Sequence, residues 1–162
     1  MYVHKDIKAQ TKQEFYQQLL LQFKGLIEGE TDFIANLSNG SAILFDHLEN
    51  VNWSGFYLYK NDELVLGPFQ GKPACVRIAI GKGVCGAAAK EKKSIIVEDV
   101  HQFEGHIACD GATESEIVIP MIKGEKFLGV LDIDSPVKAR FSEEDEYYLT
   151  KFVEILLTGS NI

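Results

Sequence analysis

Two periodicities divide the chain. Over the first fifty residues apolar side chains recur at steps of three and four. Phe15, Leu19, Phe23, Leu26 and Ile27 fall on one helical face, behind Thr11-Lys12-Gln13-Glu14, which has capping-box spacing. Glu28-Gly29-Glu30 interrupts the pattern. Thr31 or Asp32 then caps a second helix with the stripe Ile34, Leu37, Leu44, Phe45 and Leu48, weakened at Asn39-Gly40. From Asn52 the period drops to two. Trp53, Gly55, Tyr57 and Tyr59 alternate with Ser54, Phe56 and Leu58, and a turn at Lys60-Asn61-Asp62 leads to a second strand, Glu63 to Phe69. Pro68, Gly71 and Pro73 mark a loop. Cys75 to Ile80 alternates again, with Val76, Ile78 and Ile80 on one face.

Gly81-Lys82-Gly83 turns the chain into a short alanine-rich helix, Val84 to Lys92, and Ser94 to Val97 is a short apolar strand. Glu98 to Glu114 has almost no period, and a loop of that length in a compact domain is usually a lid, a binding loop or disordered. Ser115 to Ile122 and Lys126 to Asp134 are strands joined by a tight turn. A last helix opens with Ser142-Glu143-Glu144-Asp145 and carries Tyr148, Leu149, Phe152, Val153, Ile155 and Leu156. Consecutive hairpins predict an α+β fold: an antiparallel sheet, helices gathered on one face, and a long loop. With 162 residues and no internal repeat or linker, residues 1–162 read as a single domain, with helices in 1–50 and the sheet, loop and last helix in 51–158.

Composition narrows the function. The formal net charge of −8 disfavours a phosphate-tracking nucleic-acid binder. No apolar run approaches the roughly 20 residues of a membrane helix. Met1 to Asp6 has no signal-peptide core, so the expected location is cytoplasmic. Three cysteines in a reducing compartment are not a structural disulfide framework. Cys75 opens a strand and can simply pack. Cys85 sits in the first turn of a helix, where free amides and the helix dipole favour thiolate. Cys109 lies in the polar loop His106-Ile107-Ala108-Cys109-Asp110-Gly111, where there is little core to fill, so packing explains it poorly. A zinc site drawn from His101, His106, Cys109, Cys85 and Cys75 is the competing use, but no close cysteine pair forms a knuckle.

Acidic residues make a second constellation. Asp132 and Asp134 are two apart on one strand, so their side chains share a face, with Leu131 and Ile133 on the other. Together with Glu116 they are costly there unless they meet water, a cation or a ligand, and mutual repulsion can raise a pKa into the range of a useful proton donor. A solvated sheet face accounts for them equally well. Trp53 and Tyr57 flank Gly55 on one strand face, as a shallow aromatic slot or as core.

Asn52-Trp53-Ser54-Gly55-Phe56-Tyr57, Gly83-Val84-Cys85-Gly86, Gly105-His106-Ile107-Ala108-Cys109-Asp110, Ser115-Glu116-Ile117-Val118-Ile119-Pro120 and Gly129-Val130-Leu131-Asp132-Ile133-Asp134-Ser135 together resemble the free methionine-(R)-sulfoxide reductases, single-GAF-domain enzymes. The resemblance runs from about Asn52 through the last helix. It implies a GAF-like antiparallel sheet with a pocket closed by the long loop, free methionine-(R)-sulfoxide as substrate, and no metal or organic cofactor. By the same resemblance Cys109 is the nucleophile, Cys85 the resolving thiol and Cys75 a secondary or alternative partner. Trp53 and Tyr57 flank the substrate methyl group, while Glu116, Asp132 and Asp134 bind its polar groups and assist proton transfer. The resemblance further implies a cysteine sulfenic acid, an intramolecular disulfide and recycling by thioredoxin. A homodimer is implied by analogy. The alternative from another class is a GAF domain that senses a small ligand or redox state without turnover. A ligand sensor needs no thiols and is normally joined to an output domain, for which the expected end just after the last helix leaves no room; a redox sensor uses the cysteines but not the acid set.

Overall fold

A computed structural model describes residues 3–107 and 109–162; Met1, Tyr2 and Ala108, the last inside the quoted cysteine-loop motif, lie outside it. Helix α1 (Lys12–Leu26) starts where Thr11 Oγ1 accepts from the Glu14 amide at 3.1 Å, but the Glu14 carboxylate reaches past the cap to the Gln10 amide. Helix α2 (Phe33–His47) is capped by Asp32, whose Oδ1 accepts from the Ala35 amide at 2.8 Å. It runs unbroken through Gly40, where a Cβ would make ordinary contact, 3.6 Å, with the Phe23 and Phe152 rings. Ile34 and Phe45, expected on the buried stripe, are exposed instead; the buried face is built by Asn36, Leu37, Gly40, Ser41, Ile43 and Leu44.

Six strands follow: β1 (Trp53–Lys60), β2 (Glu63–Gly71), β3 (Arg77–Ala79), β4 (Ile95–Val97), β5 (Ser115–Lys123) and β6 (Lys126–Ser135). They form one sheet in the order β3-β2-β1-β6-β5-β4, every pair antiparallel. Strand β2 continues through Pro68 to Gly71, past its expected end, whereas β3 keeps only Arg77 to Ala79, with Val76 exposed and Cys75 in the preceding loop. Helix α3 (Gly83–Glu91) carries the chain from β3 at one edge to β4 at the other, and a 3-10 turn, Val100–Gln102, is the only helical turn among the described residues of the long loop.

Strand alternation gives the sheet two unlike faces. One presents Phe56, Leu58, Ile117, Ile119, Met121, Leu131 and Ile133 to α1, α2 and the last helix, α4 (Glu143–Gly159). Phe23 and Phe152 stack at its centre with centroids 3.9 Å apart. The opposite face presents Trp53, Tyr57, Leu64, Val118 and Val130 to Val84, Cys85, Ala88 and Ala89 of α3. Close approach of β1 and β6 depends on Gly129, at φ +146°, where a Cβ would overlap the Tyr57 carbonyl oxygen.

Asp145 joins the two ends of the chain. Fully buried, its carboxylate accepts from Tyr16 Oη at 2.6 Å, Lys12 Nζ at 2.8 Å and the Ser142 amide at 2.8 Å, the last as part of the expected capping box of α4. Burial alone would raise its pKa, but the bonds from Lys12, Tyr16 and Ser142 together hold it below the ordinary carboxylate value. A depressed native pKa stabilises the fold above the unfolded value near 3.9, and that stability is lost as pH falls through the native one. Asp145→Asn should therefore cost about 2–4 kcal/mol in urea unfolding at pH 7. The deficit should narrow as pH falls through the depressed native value, where the parent carboxylate takes up a proton as well.

Candidate active site

Strand register alone assembles an acidic patch. Pairing of β5 with β6 sets Glu116 opposite Asp134, and pairing of β1 with β6 sets Trp53 opposite Asp134 and Gly55 opposite Asp132. All of these side chains leave the sheet on the α3 side. Glu116 and Asp132 are buried and Asp134 is half-buried at the sheet's end. The Cys85 thiol projects from the first turn of α3 and donates to Asp132. The Cys85 sulfur and one oxygen each of Glu116 and Asp132 lie within 4.8 Å of one another.

Above this patch is a small cavity of about 40 Å³. Its wall includes Trp53, Tyr57, Ile78, Val84 and Ile107; Lys72, Lys82, His106, Cys109, Asp110 and Thr113 also line it. Trp53 and Tyr57 lie face to face, centroids 5.9 Å apart, and Trp53 stacks on Phe69 at 5.2 Å. The room left by Gly55 is taken by the Trp53 ring and by β2, since a Cβ there would overlap Phe69. The polar tips of the pair hold the β2–β3 loop. Trp53 Nε1 donates to the Lys72 carbonyl at 3.1 Å, and Tyr57 Oη donates to the Cys75 carbonyl at 2.9 Å.

The long loop is fastened from the other side. Asn52 Nδ2 donates to Asp110 Oδ2 and Thr113 Oγ1, each at 3.1 Å, and Asp110 Oδ1 accepts from the Ala112 amide, an Asx turn. The two loops meet in a disulfide between Cys75 and Cys109, Cα atoms 5.9 Å apart. Cys85, expected as the partner of Cys109, is instead a free buried thiol. Its helical position favours thiolate, yet the thiol is pushed well up, by burial first and then by the charges of Asp132, Glu116 and Asp134. At neutral pH it is a thiol.

The carboxyl groups show the same strain. Burial raises Glu116, Asp132 and Asp134 well above the carboxylate range, and repulsion adds to it: Asp134 on Glu116, Glu116 on Asp132, Asp132 on Asp134. Among the described residues no lysine or arginine pairs with them; the nearest basic group is His106, its Nε2 3.6 Å from Glu116 Oε1, and burial lowers its pKa. Asp132 Oδ1 and Asp134 Oδ1 are buried without a hydrogen-bond partner. Two orphaned acceptors in a small cavity fit a ligand that brings donors, such as an ammonium group.

A GAF-domain family model matches residues 41–156. The free methionine-R-sulfoxide reductase of Escherichia coli (strain K12) is 54% identical over 142 residues, spanning 88% of this chain and 86% of that protein. This chain belongs to the free methionine-R-sulfoxide reductase family. Two crystal structures agree with the reductase fold. That of the Neisseria meningitidis enzyme in complex with its substrate superimposes at a TM-score of 0.93, with 40% identity, covering 98% of this chain and 95% of that one. The reduced form of fRMsr of Staphylococcus aureus superimposes at 0.87, with 53% identity, covering 89% and 94%.

In this reductase Cys75, Cys85, Cys109, Trp53, Tyr57, Glu116, Asp132 and Asp134 all line or border one cavity. The zinc set considered from sequence is dispersed: Cys75 and Cys109 are bonded to each other, and His101 Nδ1 lies 3.0 Å from Asp99 and 3.4 Å from Glu114. Asn52 and Thr113 were given no role in the site from the sequence, and His106 was weighed only as a zinc ligand. Asn52 directly precedes the Trp53 strand, and that adjacency is the one signal of it in the sequence. Because raised carboxyls bind more protons in the native state, stability should fall as pH rises above the ordinary carboxylate range. Asp132→Asn should therefore be more stable than the parent at pH 8, by about 1 kcal/mol or more in urea unfolding. The advantage should vanish near pH 4. A variant less stable than the parent at pH 8 would mean that Asp132 has a cationic partner.

Proposed function

We propose that this reductase converts free L-methionine-(R)-sulfoxide to L-methionine, with Cys109 as nucleophile and Cys75 as resolving thiol. The observation that carries the reading is the Cys75–Cys109 bridge at the mouth of a cavity floored by Glu116, Asp132 and Asp134. The substrate ammonium donates to the orphaned oxygens of Asp132 and Asp134. Its carboxylate lies toward the mouth, near Lys72, Lys82 and the amides of the cysteine loop. A peptide-bound methionine has no ammonium to offer, so the acid set selects the free amino acid. The methyl group rests against the Trp53 and Tyr57 rings.

Attack of the Cys109 thiolate on the sulfoxide sulfur requires the oxygen to take up a proton. Glu116 or Asp134, held protonated by burial and repulsion, donates it. The oxygen passes to Cys109 as a sulfenic acid and methionine, now a thioether, departs. The Cys75 thiol then displaces water from the sulfenic acid, forming the disulfide. A dithiol reductant, thioredoxin, restores both thiols and is itself oxidised. Cys85 serves the acid set: its S–H donates to Asp132 and keeps that carboxyl in place.

Turnover of the two sulfoxide epimers, with thioredoxin and its reductase as electron source, tests these roles. The parent should consume only the R epimer, and Cys109→Ser should lose at least about 1,000-fold in kcat. Cys75→Ser should release one methionine per chain and then stall. Cys85→Ser should keep recycling. Retained turnover in Cys109→Ser, or stalling in Cys85→Ser instead of Cys75→Ser, would overturn the assignment.

A further inference from the structure

The floor of the cavity places a sulfur among oxygens, a donor set that suits more than an amino acid. Cys85 comes from α3, Glu116 from β5 and Asp132 from β6, so three separate elements converge there. Their sulfur and oxygen atoms lie within 4.8 Å of one another. Around a tetrahedral zinc ion, with bonds of about 2.0–2.3 Å, donors are roughly 3.3–3.8 Å apart, so a convergence of roughly 1 Å would complete the shell. Asp132 is 5% exposed, lines the cavity, and keeps Oδ1 without a hydrogen-bond partner. That orphaned oxygen is an independent sign that the fold leaves a position there for a positively charged guest.

We propose that Cys85, Glu116 and Asp132 form a binding site for a thiophilic divalent cation of the zinc and cadmium class, and that this ion competes with the substrate for the cavity. The thiol selects the metal. Magnesium and calcium take oxygen shells and gain nothing from sulfur, whereas zinc and cadmium accept a mixed sulfur and carboxylate set. Asp134, whose Oδ1 is also unpartnered, or solvent supplies a fourth ligand. A cation there occupies the oxygens that the proposed function gives to the ammonium, so metal and amino acid exclude each other. Metal binding rests on the geometry alone; only the competition rests on the proposed substrate.

Oxidised protein isolates the question, because with Cys75 and Cys109 bridged Cys85 is the one remaining thiol of the three. Titration with cadmium should raise an ultraviolet thiolate-to-cadmium charge-transfer band that saturates at one ion per chain, undisturbed by excess magnesium. Cys85→Ala should abolish the band and weaken zinc binding in calorimetry by about tenfold or more. Asp132→Asn, which keeps the thiol and the shape, should weaken both readouts by a similar factor while circular dichroism stays native. Absence of the band in folded parent protein, or equal zinc affinity in Cys85→Ala, would overturn the site. In a Cys75→Ser/Cys109→Ser double variant free methionine sulfoxide should displace cadmium. Failure to do so would overturn the shared use of the cavity while leaving the metal site and its ligands in place.

Discussion

Three carboxyl groups confined to one small cavity without a compensating cation set the terms for the rest of the molecule. Antiparallel register makes their proximity unavoidable: once β6 lies between β1 and β5, Asp132, Asp134 and Glu116 must leave the sheet on the same side. Helix α3 then covers them and removes water, which raises the cost of ionising any of them. The fold bears that cost through the opposite face, where α1, α2 and α4 bury a continuous aromatic and aliphatic layer, and through Asp145, whose carboxylate is fully satisfied. Two buried acids thus carry opposite meanings. Asp145 is partnered and depressed and holds the chain's ends together, while Asp132 is raised and keeps Oδ1 free of a partner, available to a ligand.

Sulfur placement follows from what anchors each loop. Trp53 and Tyr57 turn their rings to the cavity and spend their polar tips on the backbone that presents Cys75. Asn52, one residue earlier, fixes the loop that presents Cys109. One strand end therefore positions both cysteines, and the bridge closes where the two loops face each other over the acids. Cys85 lies beneath this arrangement. Its thiol is buried against carboxyl groups, which keep it protonated, and its position on a helix puts it on the floor and not at the rim.

Much of this architecture was legible in the residues. The element order, the α+β class, the unusual loop from Glu98 to Glu114 and the shared face of Asp132 and Asp134 all follow from periodicity. What periodicity cannot carry is depth. Ile34 and Phe45 fit a helical stripe but face outward, because the buried face runs through Leu37, Gly40 and Leu44, with Gly40 beside Phe23 and Phe152. Cys85 was read from the helix end as a thiolate; burial and three acids, contributed by strands more than thirty residues later, reverse that. The pairing of Cys75 with Cys109 depends on two loops meeting in space, and linear spacing holds no record of it.

If the orphaned oxygens of Asp132 and Asp134 receive an ammonium group, the charge on that nitrogen decides binding. Calorimetry on Cys109→Ser protein, which cannot turn over, compares free methionine-(R)-sulfoxide with its N-acetyl derivative. Binding of the free amino acid and at least about 100-fold weaker binding of the acetylated one, the cost of leaving a buried charged acceptor unmatched, is the expected result. Equal affinity for the two would contradict the account, since the acids would then face something other than the substrate's amine.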